Sequence, residues 1–153
     1  MDAAARTIAT TRAAMRYCLA RAWSPLCEVP LPDGRRADIL ALRPDGGFVI
    51  IEVKSCARDY LCDAKWQDYR GFSDELHFAV DIDFPQALLP EDVGLLVSDG
   101  WEAASVREAP AHPMAPARRK ALIHRFATLA ATRLAGLTDP AGLAERRAAL
   151  RLD

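Results

Sequence analysis

Three carboxylates lie within segments of this sequence that otherwise consist of short apolar runs. Glu28 belongs to CEVPL, Asp38 to RRADILAL and Glu52 to GFVIIEVK. An acid in such a segment is costly to bury unless a proton, a cation or an arginine compensates its charge. Carboxylate oxygens are the ligands that hard divalent cations such as Mg²⁺ prefer. A metal site is therefore the first chemistry that these residue types predict.

The positions of two identical turns predict how the three acids are arranged. Pro-Asp-Gly occurs at 32–34 and again at 44–46, between the three segments. Proline at the first turning position and glycine at the left-handed position suit a three-residue hairpin loop. Counting outward from the second turn places Asp38 opposite Glu52, and counting from the first places Glu28 opposite Asp38. We therefore expect three antiparallel strands with the acids in one row.

Such a row requires a compensating charge. Directly opposed side chains have Cβ atoms about 5 Å apart. Two carboxylates at that separation repel each other by roughly 3 kcal/mol at an effective dielectric constant of about 20. This is large beside the roughly 5–15 kcal/mol that stabilise a whole domain. Protonation, a bound Mg²⁺ or Mn²⁺ ion, or the neighbouring Arg35 and Arg36 are the alternatives that would offset the repulsion.

Lys54 follows Glu52 by two residues at the end of an apolar strand. Side chains alternate along a strand, so the lysine and the acid point to the same face. A lysine beside a metal-bound water can orient or deprotonate that water and stabilise the charge that develops on a phosphate. Glu-x-Lys alone is a weak signal, but an acid facing it across a hairpin makes it much more specific. The combination favours metal-assisted chemistry at a phosphate group.

The remaining segments predict a mixed fold. Apolar periodicity and turn residues predict helices at 3–23, 59–72, 117–135 and 140–151, and further strands at 76–84, 93–99 and 104–108. The predicted inward residues are Ile8, Met15, Cys18, Leu19 and Ala22 in the first helix, and Ile123, Phe126, Ala130 and Leu134 in the third. This order is typical of an α/β (α+β) sandwich. We expect one domain over 1–153, with a core at about 3–100 and a helical extension at about 115–151.

The composition excludes several classes of protein. A net charge of −1 and a hydrophobic content of 51% are typical of a globular chain. No apolar run is long enough to span a membrane, and the N-terminus does not resemble a secretory signal, so a cytoplasmic location is expected. The four cysteines match no CxxC pair or zinc pattern, and buried or incidental thiols are expected, with an iron–sulfur site or disulfides as the alternatives. The sequence contains no glycine-rich loop that opens a helix with Lys-Ser/Thr, so use of a nucleotide triphosphate is not expected.

The acids and the lysine resemble the motif of the PD-(D/E)xK nuclease superfamily. Asp38 in RRADI and the triplet Glu52-Val53-Lys54 in IIEVKS match it, while Ala37 stands where the motif usually has proline. More narrowly, EVPLPDGRRADILAL, DAKWQDYRGFSDELHFAVD and PARRKALIHRFATLAATRL are similar to the MmcB-type DNA-repair endonucleases. The resemblance implies a restriction-endonuclease-like core, α-βββ-α-β, with extra C-terminal strands and a helix. It also implies metal-dependent hydrolysis of DNA in repair.

These observations assign roles to individual residues. Asp38 and Glu52 would hold Mg²⁺ or Mn²⁺, Glu28 would complete or bridge the metal site, and Lys54 would position the attacking water. The candidates for contacts with DNA phosphates are Arg35, Arg36, Lys65 and Gln67. DNA is the expected partner, along with other repair proteins. Two alternatives remain open, a non-cutting nucleic-acid-binding adaptor of the same fold in a repair complex and a structural or protein-interaction domain.

Overall fold

The computed structural model describes residues 1–151, which form a six-stranded sheet, four α-helices and two short 3-10 segments. The strands are β1 (Ser24–Pro30), β2 (Arg36–Leu42), β3 (Phe48–Val53), β4 (Glu75–Asp81), β5 (Gly94–Ser98) and β6 (Ala103–Arg107). The helices are α1 (Ala3–Ala20), α2 (Ala57–Cys62), α3 (Pro116–Thr138) and α4 (Pro140–Arg151), and the 3-10 segments are Trp66–Phe72 and Gln86–Leu88. None of the helices within the described part of the chain is both long and apolar enough to cross a membrane.

The strands follow one another in the sheet in the order β1-β2-β3-β4-β5-β6. The first three strands and the last pair are antiparallel, whereas β3, β4 and β5 run parallel to one another. This mixed sheet confirms the predicted α/β (α+β) class. The chain separates into two compact units, from Met1 to Ala115 and from Pro116 onwards. The prediction of a single domain stays a prediction.

Both Pro-Asp-Gly turns adopt the predicted geometry. Gly34 and Gly46 lie in the left-handed region, with φ of +86° and +85°. In the second turn the Arg43 N–H donates to the Gly47 carbonyl at 2.8 Å. The resulting register pairs Leu42 with Phe48 and Leu40 with Ile50. Local turn chemistry therefore set the alignment of β2 with β3 correctly.

Helix α1 covers one face of the sheet with only part of the predicted side chains. Cys18 is buried and Met15 packs against the core, as predicted. Ile8 and Leu19 are 53% and 62% exposed. The buried residues of the helix are Thr10, Ala13, Ala14, Tyr17 and Cys18. The predicted inward face was partly wrong because α1 is rich in alanine, so its hydrophobic pattern has little contrast. Small alanines also let a helix backbone approach a sheet closely.

The predicted helix over 59–72 is interrupted. Helix α2 ends at Cys62, and a 3-10 segment begins at Trp66. In that segment Trp66, Tyr69 and Phe72 are all buried. Their spacing of three matches the three residues per turn of a 3-10 helix, which places all three rings on one side. These aromatic residues therefore anchor the segment to the sheet and are not available to stack on bases.

The second unit consists of α3 and α4, close to the predicted bounds. The predicted inward face of α3 was partly wrong, because Ile123 and Leu134 are 40% and 65% exposed while Leu122 is buried. Apolar residues lie on several sides of this helix, so periodicity alone does not select one face.

Candidate active site

The acids predicted to face each other lie where β2 and β3 separate. The last ladder pair before them is Ile39 with Ile51. Beyond it the Asp38 N–H donates to Oε1 of Glu52 at 3.0 Å, and the Val53 N–H donates to Oδ2 of Asp38 at 2.8 Å. Each carboxylate thus satisfies a backbone donor of the neighbouring segment. The structure brings Asp38 and Glu52 together, as the turn register predicts.

In this acid pair Glu52 is buried and Asp38 is partly buried, and the nearby charge of Lys54 acts on both. Glu52 is only 3% exposed. Burial and the nearby charge of Asp38 raise the pKa of Glu52. Burial also raises the pKa of Asp38, despite the hydrogen bond that it accepts from the Val53 N–H. Among residues 1–151 no lysine, arginine or histidine forms a salt bridge with either acid. The charge of Lys54 offsets their repulsion only in part, since both pKa values stay raised, so a proton or a bound cation is needed to compensate the rest.

The two arginines that could have neutralised the acids lie elsewhere. Arg35 contacts Oδ2 of Asp68 at 2.7 Å, with Asp33 as a second partner. Arg36 lies 3.7 Å from Oε1 of Glu28, and both of these side chains are about two-thirds exposed. The arginine alternative therefore does not account for the acid pair.

Glu28 is not gathered into one cluster with the other acids. The ladder pairs Cys27 with Ile39 and Val29 with Ala37, so Glu28 falls opposite Asp38 by count, as expected. Its backbone is left-handed, however, with φ of +51°. Within the described residues no group of three His, Cys, Asp or Glu side chains is placed to hold a metal ion. The interrupted strand geometry leaves Glu28 exposed at the rim.

Lys54 lies next to the acid pair and is held by an acid that the sequence did not reveal. Its Nζ donates to Oδ2 of Asp63 at 2.8 Å, and its side chain is only 7% exposed. Burial lowers the pKa of Lys54, but the hydrogen bond and charge of Asp63, with the charges of Asp59 and Glu52, outweigh it and raise the pKa above its ordinary value. Lys54 is therefore a cation at neutral pH. No sequence signal marks Asp63, because it lies in the break between α2 and the 3-10 segment.

Tyr69 is a second site residue that sequence reasoning missed. Its hydroxyl donates to the Arg36 carbonyl at 3.1 Å. Burial and the charges of Glu52 and Asp38 raise the pKa of Tyr69, so it stays a neutral donor. The predicted DNA contacts Lys65 and Gln67 are exposed.

A cleft of about 820 Å³ opens over these residues. Asp38, Glu52, Lys54, Asp63 and Tyr69 line one part of it. Helix α1 lines another part with Thr7, Ile8, Thr11 and Arg12. Glu28 and Arg36 also lie on its wall, whereas Arg35, Lys65 and Gln67 do not. The buried acids are thus accessible to a ligand from one side.

The sequence matches the family model described as DNA repair protein MmcB-like over residues 2–141. The chain belongs to the MmcB-like family. A solved structure of a protein of unknown function from Silicibacter pomeroyi is 43% identical to this MmcB-like chain. The two agree with a TM-score of 0.85, and the similarity covers 90% of this chain and 94% of the other. No curated protein matches. Membership of the MmcB-like family points to a role in DNA repair.

The donor set of this MmcB-like protein fits a hard divalent cation. Mg²⁺ is commonly bound through one or two carboxylates, with waters and substrate phosphates as its other ligands. Asp38 and Glu52 offer such a pair, and each is already oriented by a backbone N–H. A cation at this position would also remove the cost of ionising two buried acids together.

Proposed function

We propose that this MmcB-like protein is a metal-dependent deoxyribonuclease of the PD-(D/E)xK type. Asp38 and Glu52 would hold Mg²⁺ or Mn²⁺, and Lys54 would act beside them. The observation that carries the proposal is the pair of buried Glu52 and partly buried Asp38, which forms no salt bridge within residues 1–151. This pair lies beside a lysine that Asp63 holds. A charge arrangement of this kind is costly to maintain and is typical of a functional site.

The roles of the protein groups follow from their protonation states. When bound, the metal lowers the pKa of a coordinated water and neutralises charge on the phosphate. Lys54 is charged at neutral pH, so it acts as a hydrogen-bond donor and a positive charge and not as a general base. It would orient the water and stabilise the negative charge that accumulates on the phosphate oxygens. Asp63 is a positioning residue, because it holds the lysine through a 2.8 Å hydrogen bond.

Residues at the rim of the cleft would contact the flanking DNA. Arg36 lines the cleft, and its ion pair with Glu28 is long and exposed. Such surface pairs contribute little to stability, so a phosphate can replace the Glu28 partner at small cost. Arg35 is a weaker candidate, because it is engaged by Asp68 and lies outside the cleft wall. Glu28 lines the cleft but does not form a three-acid group with Asp38 and Glu52 among the described residues, so it would not be a preformed third ligand.

Cleavage of defined DNAs tests the proposal. Wild type and Lys54→Ala are compared on single-stranded, nicked, flap and junction DNAs with Mn²⁺. We expect Lys54→Ala to lose at least about a hundredfold in cleavage rate, which is typical for loss of a group that stabilises transition-state charge. Lys120→Ala removes an exposed lysine of α3 that lies outside the cleft wall and serves as the matched control.

Two results would argue against the nuclease. Equal cleavage by wild type and Lys54→Ala would exclude the proposed role of the lysine. Absence of cleavage by both, together with intact DNA binding, would favour the non-cutting adaptor. Melting curves of each variant show whether a loss of activity reflects loss of the fold.

A further inference from the structure

A second pocket adjoins the cleft on the outer surface of α1. It has a volume of about 350 Å³ and is formed by α1 and by the turn between β5 and β6. Ile8 and Arg12 line both this pocket and the cleft. A continuous surface therefore leads away from the acid pair along the helix. We call this surface the Trp101 track, and it is defined by Ile8, Arg12, Arg16 and Trp101.

Trp101 is held out on a rigid turn. Trp101 is 64% exposed. Oδ1 of Asp99 accepts hydrogen bonds from the N–H groups of Trp101 and Glu102, both at 2.9 Å. The Gly100 N–H donates to Oγ of Ser98 at 3.0 Å, and Gly100 has a φ of +100°, which glycine adopts without strain. The turn thus presents a large aromatic ring to solvent in a fixed position.

Arg16 covers one face of this ring and leaves the other accessible. Its guanidinium carbon lies 3.6 Å from the centroid of the Trp101 ring, and its Nη1 donates to the Trp101 carbonyl at 2.8 Å. Since one face is covered and the side chain remains largely exposed, the accessible area lies on the opposite face and the edge. A planar group can stack there while a positive charge supports the ring from behind.

The charges of the track suit a polyanion. Helix α1 contains several arginines and no acid. Arg12 is exposed, and within residues 1–151 it has no ion pair or hydrogen-bond partner. Glu102 is exposed beside Trp101, so a chain of phosphates would follow the α1 side of the turn. Arginines next to an accessible aromatic face are the elements by which proteins bind single-stranded nucleic acid.

We propose that the Trp101 track binds an unpaired DNA strand and leads it into the cleft, which extends the nuclease proposal and rests on it. One base would stack on the free face of Trp101, and phosphates would contact Arg12 and Arg16. An intact duplex cannot use the tryptophan in this way, because its bases are already stacked on one another. The track therefore predicts a preference for DNA that carries a single-stranded portion.

Binding is measured in EDTA with the full chain, so that no cleavage occurs. Fluorescence anisotropy compares a labelled oligothymidine with a blunt duplex of the same length. Trp101→Leu keeps an apolar side chain but removes the aromatic ring, whereas Trp101→Phe keeps a smaller ring. Arg12→Gln is paired with Arg147→Gln, which removes the same charge from exposed α4.

We expect Trp101→Leu to weaken binding of the single strand about tenfold, as for loss of one base–aromatic stack, and to leave duplex binding unchanged. Trp101→Phe should lose less. Arg12→Gln should weaken binding more than Arg147→Gln and lower its salt dependence. The proposed role of the Trp101 track would be overturned by either of two results. One is an unchanged affinity of Trp101→Leu for the single strand, and the other is an equal loss of affinity for single strand and duplex.

Cleavage with Mn²⁺ separates this proposal from the nuclease proposal. Cleavage that depends on Lys54 but not on Trp101 would support the nuclease and overturn the track. Single-strand binding that depends on Trp101, without cleavage, would support the track as a binding site and overturn the nuclease. Melting curves of the Trp101 variants confirm that this exposed residue is replaced without loss of the fold.

Discussion

The Glu52 carboxylate accepts the hydrogen bond of the Asp38 N–H at 3.0 Å, where a backbone carbonyl would continue the pairing of β2 with β3. The Asp38 carboxylate in turn accepts from the Val53 N–H. The two acids are therefore anchored by the protein itself, before any metal binds. Such preorganisation lowers the cost of assembling a metal site.

Glu52 should make the metal-free protein less stable as the pH rises. The ordinary pKa of a glutamate side chain is about 4.5, and the pKa of Glu52 is raised in the folded protein. Above about pH 4.5 the folded state therefore binds more protons than the unfolded chain. Stability is therefore lost as the pH rises from there toward the raised pKa. We expect Glu52→Gln to have a higher Tm than wild type at pH 8 in EDTA and a similar Tm near pH 4.

Glu75→Gln is the matched control for this measurement. The hydrogen bond from His77 is the main cause that lowers the pKa of Glu75, with Arg43 contributing further. Its ionised form is favoured in the fold, so this substitution should lower the Tm at pH 8. Parallel behaviour of the two variants would contradict the assigned cause of the shift in Glu52.

Divalent metal should stabilise the protein through the acid pair. A ligand that binds the folded state at a hundred times its Kd raises the free energy of unfolding by about 2.7 kcal/mol. We expect Mn²⁺ to raise the Tm of wild type, more at pH 8 than at pH 5, because the metal competes with protons for the two carboxylates. Asp38→Asn should abolish the increase, whereas Asp33→Asn, on the first turn, should retain it. An equal increase in both variants would place the metal elsewhere.

Asp63 should set the pH range in which Lys54 works. Removal of its hydrogen bond and charge in Asp63→Asn lowers the pKa of Lys54. If activity needs the charged lysine, the decline of the cleavage rate at alkaline pH should move to lower pH in this variant. Asp59→Asn removes only a more distant charge and should move the decline less. If the cleavage rate of Asp63→Asn declined at the same alkaline pH as that of wild type, the protonation of Lys54 would not limit the rate.

Gly94 should be needed for the packing of His77. A Cβ at this position would clash with Nδ1 of His77 and lie within 2.8 Å of Cβ of Ala109. His77 is buried and held by Glu75, so it cannot move aside freely. Overpacking of this kind typically costs about 1–3 kcal/mol. Chemical denaturation of Gly94→Ala should show such a loss, and the loss should be smaller in a His77→Ala background.

The register between β2 and β3 could be predicted from the sequence because the residues of a turn determine the pairing of the strands directly beside it. Each Pro-Asp-Gly element fixes the pairing of the residues that flank it, and the period of two then carries the register outward to Asp38 and Glu52. The same local signals placed most helices and strands correctly. They failed in part for the inward face of α1, where alanine provides little contrast. They also failed for the second half of the segment after β3, where a 3-10 turn with a period of three replaced the helix.

The sequence by itself determined that two acids and a lysine would meet at the end of a hairpin, since all three depend on pairing between neighbouring segments. The tertiary structure alone decided which groups surround them. Asp63 reaches Lys54 only because α2 breaks, and Arg16 meets Trp101 across 85 residues of sequence. Contacts of this kind depend on how a helix and a turn are brought together over the sheet, which no local pattern encodes.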